Sequence, residues 1–363
     1  ALQGAKDIIA EMVSENQQAR NTVRNMYKRE AVLSSMVIKK MKSTDVAQKF
    51  SDYFDFSEPL RSCNSHRLLA MRRGETLGIL RVSISIDEKD CIERLNRQFV
   101  HGKGACQTLV AEAIEDSFKR LINPSIENEF ARLSKEKADE DAIKVFTENL
   151  RQLLLSAPLG QKRVLALDPG YSNGCKIACL DAQGNLLHHE IIYPHPPKRL
   201  YAQATVAMMR MINQYHIEAI AIGNGTASRE SKEFVTDCIT HLSEAGKETP
   251  KVFVVSEDGA SIYSASAIAR EEFPNEDVTT RGAVSIGRRL IDPLAELVKI
   301  DPKSIGVGQY QHDVDQAELR RSLDLTVESC VNQVGVNLNT ASKHLLMYVS
   351  GLGSVLAQNI VDY

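Results

Sequence analysis

The 363-residue sequence has no apolar stretch long enough to span a bilayer and no charged-then-apolar leader at its start, so nothing in it reads as a membrane segment or a secretion signal. It also lacks a surplus of charge. Against 44 Lys and Arg stand 47 Asp and Glu, and the near balance holds in 1–160, 161–279 and 280–363 alike. A bulk positive field for nucleic acid is therefore excluded, and any such surface must be built from local patches. The seven cysteines are odd in number and scattered. Cys175 and Cys179 form the one close pair, and no second cysteine or histidine pair completes a zinc site. Free or buried thiols in a reducing compartment, nucleus or cytosol, fit this usage. The chain opens on Ala1 without Met and stops at Tyr363 inside a helical pattern, which suggests a piece of a longer protein.

What the sequence does contain is organised around Arg163–Gly170. A continuous apolar run ends on Asp168 and turns at Pro169-Gly170. Such a run between turn residues reads as a strand buried on both faces. Pro169 cannot donate to a central ladder, so the strand should stop at Asp168. Its carboxylate then lies at the carboxyl end of a sheet strand, where ligands gather in α/β folds; an ordinary surface turn is the alternative.

Before this point helical spacing dominates. Residues 1–42 read as one or two amphipathic helices, with Val32, Leu33, Met36 and Val37 continuing the apolar stripe and Lys39, Lys40 and Lys42 closing a basic face. Tyr53–Leu60 suggests a helix hairpin broken at Pro59. Ser65 is the expected N-cap of a helix carrying Arg67, Arg72 and Arg73, with Gly74 ending it. His66 reads as structural, since nothing nucleophilic is paired with it. A short strand is expected within Leu77–Ile86, then helices over Cys91–Phe99, Thr108–Leu121 and Ser125–Leu155, the last two separated by Asn123-Pro124. Ser156–Gly160 reads as a linker.

After the linker the period shifts to two. Strands are expected at Val164–Asp168, Cys175–Leu180, Asn185–Tyr193, Ile217–Ile222 and Val252–Val255, with helices over Leu200–Gln214 and from about Ser261 and Gly282. Three antiparallel strands followed by alternating helix and parallel strand resemble the ribonuclease H-like fold. Leu167–Gly170, Ile192–Pro197, Ala221–Glu230 and Arg288–Asp313, with Ser57–Leu60 and Ser65–Arg67, resemble the Tex family of bacterial transcription accessory proteins and their eukaryotic S1-domain relatives. The resemblance covers nearly the whole chain. It implies an α/β plus mostly α architecture: a helical central region over 1–158, a YqgF-type ribonuclease H-like mixed α/β domain over 162–298, and a truncated helix-hairpin-helix module over 299–363. An RNA-binding S1 domain would lie beyond Tyr363.

The resemblance also implies an acidic site. Asp168 matches the first-strand carboxylate, Glu257 ends the fifth strand, and Asp292 lies on a helix expected to face the same cleft. Hard cations need oxygen ligands, so three such carboxylates are candidates for Mg²⁺. At the end of the fourth strand, however, Asn224 stands where active resolvases of this fold carry an acid, which implies a vestigial nuclease and no resident cofactor. For Gly223–Glu230 two readings stay open: an anion site at a helix start with Arg229 as a phosphate contact, or a tight turn capped by Thr226 or Ser228.

Near the end, a helix closing in a turn over Val334–Asn339, a helix over Ala341–Val349, Ser350-Gly351-Leu352-Gly353, and a further helix make a helix-hairpin-helix pattern. Its glycines let backbone amides approach a phosphate without reading sequence. Lys303, Gly306 and Gly308 are expected to support it, with Asn224, Arg229, Arg67, Arg72 and Arg73 as further contacts. The expected function is a non-enzymatic nucleic-acid-binding scaffold, RNA before DNA, that also docks transcription or RNA-processing proteins. The alternatives are a Mg²⁺-dependent nuclease and a pure protein-interaction scaffold.

Overall fold

The computed structural model describes residues 2–102, 104–338 and 341–363. The chain divides into two compact units, residues 1–145 with 310–316, and residues 146–309 with 317–363.

In the first unit two helices, Leu2–Glu15 and Gln17–Glu30, are followed by strand β1 (Val32–Val37). The helical stripe expected through Val37 thus ends at Glu30. β1 is the middle strand of an antiparallel sheet between β2 (Asp55–Pro59) and β3 (Leu80–Ser85). Leu33 is fully buried, and β-branched Val32 and Val37 suit a pleated ladder better than a helix turn. The expected helix hairpin at Tyr53–Leu60 is instead this edge strand β2, with Pro59 at its last position, where a missing N–H costs least.

The helix after it spans Ser65–Thr76. Asn64, not Ser65, occupies its N-cap, and Ser65 Oγ donates to Asp141 Oδ2 at 2.8 Å. Gly74 does not end it either. A side-chain carbon there would lie 2.6 Å from Leu80 Cδ1, so Gly74 is a packing residue, and the left-handed turn falls to Gly78 at φ +69°. Asn123-Pro124 separates nothing. Ala105–Asp116 runs through a widened π turn, Ser117–Ile122, into the 32-residue helix Asn123–Leu154. The proline ring would press on the carbonyl four residues back, Arg120, which lies inside that widened turn.

The second unit holds the five-stranded sheet that positions the site. Its strands are β4 (Val164–Asp168), β5 (Cys175–Leu180), β6 (Leu186–Ile192), β7 (Ala219–Gly223) and β8 (Lys251–Val255), ordered β6-β5-β4-β7-β8. The first three pair antiparallel, and β7 and β8 join in parallel. This is the order expected of a ribonuclease H-like domain. Alternation along β4 sends Leu165 and Leu167 to one face, where helices Tyr201–Gln214 and Ser228–Glu244 cover them with Met208, Met211, Phe234 and Val235. Burying each large side chain contributes about 1.5–3 kcal/mol. Val164 and Ala166 face helix Val278–Ile291. That face is lined by Ala166, Ala178, Ala219 and Ala221, and Gly287 allows the helix close: a side-chain carbon there would lie 2.6 Å from Leu180 Cδ1. Ser156–Gly160 is non-helical, as expected, and is tied down where the Leu159 N–H donates to Leu290 O at 2.9 Å.

Candidate functional site

β4, β7 and β8 end side by side, so Asp168, Asn224 and Glu257 meet at the carboxyl edge of the sheet. Asp168 is partly buried, and burial holds its carboxyl above the usual range, opposed by the charge of Lys176 across the β4–β5 ladder. Burial likewise pushes the Glu257 carboxyl up, and the Asp168 charge adds to it.

The Glu257 side chain folds back over the Gly223-Asn224-Gly225 turn. A side-chain carbon at Gly223 would lie 2.5 Å from Glu257 Oε2, and one at Gly225 would fall on Oε1. A backbone hydrogen bond from Gly225 holds the carboxylate there. Asn224 completes the clasp: its N–H donates to Val255 O and its Oδ1 accepts from the Glu257 N–H, both at 3.0 Å. The two glycines therefore make room for an anion that the chain supplies itself. The first open reading of this loop, an external anion site, is displaced by Glu257. The second is corrected in detail, since Ala227 at φ 66°, with no side-chain cap, occupies the N-cap of the following helix. Arg229 is solvent-facing and pairs with Glu233 at 3.4 Å.

Asp292 has another task. It caps the helix Pro293–Leu297, accepting from the Ala295 N–H at 3.0 Å. Pro at the first helical position is the usual sign of a helix start, and Asp292-Pro293 carries it within the expected cleft. The amide oxygen of Asn224 is occupied, one oxygen of Asp292 is occupied, and no group of three or more His, Cys, Asp or Glu among the described residues is arranged to hold a metal. Asn224 and one Asp292 oxygen are thus taken up within the chain, while Glu257 Oε2 is buried with no hydrogen-bond partner among the described residues.

Arg289 lies in the Arg288–Asp313 stretch, but nothing in the sequence marks it as a site residue. It is buried on helix Val278–Ile291, and its Nη1 donates to Ser256 O at 2.8 Å and Asp258 O at 2.7 Å, clamping the backbone on both sides of Glu257. Burial lowers its pKa, while Glu296, Asp258 and Glu257 favour the charge. A second unforeseen group is buried His195, whose Nε2 meets Ser231 Oγ at 2.9 Å beside the Cys175 thiol. Burial lowers the His195 pKa and so favours the neutral ring.

The remaining expected contacts are dispersed. Arg67 pairs with Glu58, Arg72 with Glu75 and Arg73 with Asp313. Gly306 abuts the Asp258 carboxylate, Gly308 abuts the Phe146 ring, and the Val307 carbonyl accepts from Asn149 Nδ2 at 2.7 Å, so this turn serves packing. The Lys303 backbone N–H is held by Asp301 in the same segment.

The hairpin residues do come together. Helix Gln316–Val334 ends at Gly335, and the expected 341–349 helix shortens to Lys343–Leu346. The turn over Val334–Asn339 extends outside the described residues at Asn339. Asn332 templates the hairpin: Nδ2 donates to Tyr348 O at 3.0 Å, and Oδ1 accepts from the Ser350 N–H at 3.1 Å. Gly351 sits at φ +86°, a conformation that favours glycine, and a side-chain carbon at Gly351 or Gly353 would meet nothing within 4 Å. Among the described residues the N–H groups of Gly351 and Gly353 meet no acceptor. Gly353 leads directly into helix Ser354–Asp362. The hairpin borders an open groove of about 870 Å³ that Arg320, Arg321, Asp324 and Glu328 also line.

The sequence matches three family models in register with these parts. Residues 1–146 match a Tex central region-like model, 162–291 the Tex protein YqgF-like domain, and 331–363 a helix-hairpin-helix motif. The chain belongs to the Tex family. Similar Tex-family proteins include the transcriptional accessory protein Tex of Neisseria gonorrhoeae, 46% identical over 371 residues, covering 100% of this chain and 48% of that protein. Protein YhgF of Escherichia coli is 44% identical over 375 residues, 100% of this chain and 47% of its own. S1 RNA-binding domain-containing protein 1 of Homo sapiens is 37% identical over 372 residues, 99% of this chain and 37% of its own. The chain thus spans about half the length of its bacterial Tex relatives and less of the human one.

Proposed function

We propose that this chain is the nucleic-acid-contacting core of a Tex-type transcription accessory protein, that it favours RNA over DNA, and that its ribonuclease H-like domain is a docking platform and not a nuclease. The observation that carries the reading is the hairpin. Gly351 and Gly353 present unpartnered N–H groups at an open surface, at the start of a helix, where positive dipole ends and bare backbone suit a phosphate. Such contact is blind to sequence. The preference for RNA is supported by the name of the human relative, an S1 RNA-binding domain-containing protein. The absence of hydrolysis is supported by the donors described above: Glu257 is engaged by its own turn, Asn224 is an amide, and Asp292 is a helix cap.

A titration with single-stranded RNA and with duplex DNA, each with and without Mg²⁺ and at several salt concentrations, tests the whole reading. Binding without cleavage, weakened by the double substitution Gly351→Glu with Gly353→Glu, is expected. Mg²⁺-dependent cleavage abolished by Asp168→Asn would establish a nuclease instead. An unchanged affinity and salt slope in the glycine variant would remove the hairpin from the interface. No binding to either nucleic acid would leave a protein-interaction scaffold, the role best matched by the near-zero net charge.

A further inference from the structure

The first unit contains a cavity of about 490 Å³, independent of both the hairpin and the acidic edge. That is the size range of small-molecule sites. Three cations line it, Lys28, Arg61 and Lys137, all solvent-exposed. None of the three has an ion-pair partner among the described residues. On the same long helix Arg132, Lys135 and Lys144 each pair with an acid four residues away. Lys137 has such an acid at Asp141, but Asp141 Oδ2 accepts from Ser65 Oγ at 2.8 Å. The cavity lining thus holds three positive charges against one negative.

Two further features match the same kind of ligand. The 12-residue helix Ser65–Thr76 starts on the cavity wall, and Asn64 at its N-cap makes no side-chain hydrogen bond to the first-turn amides. The lining also includes the half-buried Phe130, whose ring packs on buried Tyr27 with centroids 5.2 Å apart and adds an apolar patch beside the cations. The Cys63 thiol, pushed up to about 12 by burial and by Glu58, stays protonated and offers no nucleophile. The site is built for holding.

We propose that this cavity binds the phosphate of a nucleotide, either free or as a unit of a nucleic-acid strand. Lys28, Arg61 and Lys137 would supply charge-assisted hydrogen bonds and the helix start its free amides.

The test compares the intact chain with a site variant, Lys28→Gln with Arg61→Gln and Lys137→Gln, and with a control of equal charge loss, Arg97→Gln with Arg132→Gln and Lys144→Gln. Binding of 5′-AMP and of inorganic phosphate is read by calorimetry, and binding of a single-stranded RNA 12-mer by fluorescence anisotropy. If the free nucleotide is the ligand, 5′-AMP binds the intact chain and the control, and binds the site variant at least about tenfold more weakly. If the ligand is a strand, 5′-AMP gives no heat, while RNA affinity falls further in the site variant than in the control, with a salt slope reduced by about 0.7 for each phosphate no longer neutralised. Equal behaviour of site variant and control toward every probe would overturn the proposal. Should the triple variant melt early, Lys137→Gln alone, on an exposed helix face, carries the comparison.

Discussion

The placement of Glu257 in the Gly223–Gly225 turn can be tested by a double-mutant cycle. Gly225→Ala puts a methyl group where Glu257 Oε1 now lies, so the carboxylate must leave. Leaving forfeits a charge-assisted backbone hydrogen bond, about 1.5–3 kcal/mol, and forcing a methyl into a filled turn adds a similar overpacking term. Partial relaxation of the free end of Glu257 reduces the sum, so a net cost of about 2–4 kcal/mol is expected for Gly225→Ala alone. In a Glu257→Ala background the methyl enters vacated space, and the same substitution should cost about 1 kcal/mol or less. The assay is urea unfolding of the four proteins at neutral pH, followed by circular dichroism, with midpoints compared at a constant slope. The expected coupling is about 2 kcal/mol. A Gly225→Ala penalty of equal size in both backgrounds would refute the self-filled turn, because the cost would then lie in backbone conformation alone.

Three further outcomes follow from the same edge of the sheet and from the hairpin. Asp168 and Glu257 both have carboxyls held above their ordinary values of 3.8 and 4.5, so the folded state binds protons more readily than the unfolded one. Their destabilising contribution is absent below those ordinary values, grows as pH rises through the elevated ones, and is complete at neutral pH. Asp168→Asn should therefore raise the melting temperature at pH 7 and lose that advantage as the pH falls below 3.8; a pH-independent effect would contradict the assignment. Arg289→Lys shortens the clamp to a single ammonium that cannot span the Ser256 and Asp258 carbonyls with the same planar geometry, and should cost about 1.5–3 kcal/mol in thermal or urea unfolding. Asn332→Ala removes the bonds to Tyr348 O and the Ser350 N–H, about 1 kcal/mol each, and should loosen the hairpin enough to speed amide exchange at Gly351 and Gly353.

The central sheet is highly legible in the sequence. Val164–Asp168 and Cys175–Leu180 follow from apolar runs bounded by Pro169, Gly170 and Asp181, because strands buried on both faces leave little for tertiary context to decide. Val32–Val37 misleads for the opposite reason: its apolar positions satisfy a helical stripe as well as a half-buried strand, and the choice comes from pairing with distant residues, those of Asp55–Pro59 and Leu80–Ser85. Gly74 reads as a helix end because the partner that demands a glycine, Leu80, is fixed by the tertiary fold and not by the neighbouring chain. At the site, Asp168, Asn224 and Glu257 can be placed from strand ends alone. That Glu257 turns inward cannot, since a Gly-x-Gly read by itself advertises room without saying what fills it. Arg289 stays hidden because its two carbonyl partners lie more than 30 residues earlier in sequence.

The clasp between Asn224 and Glu257 has a bearing on how this domain can change over time. A carboxylate introduced at position 224 would arrive facing a glutamate already seated in the turn and an aspartate on the adjoining strand, three like charges crowded into a half-dry corner. Placing an acid at position 224 would thus call for a second change that unseats Glu257, with a less stable protein in between. A corner coupled in this way changes its charge only in pairs of steps, so Asn224 and Glu257 are expected to vary together.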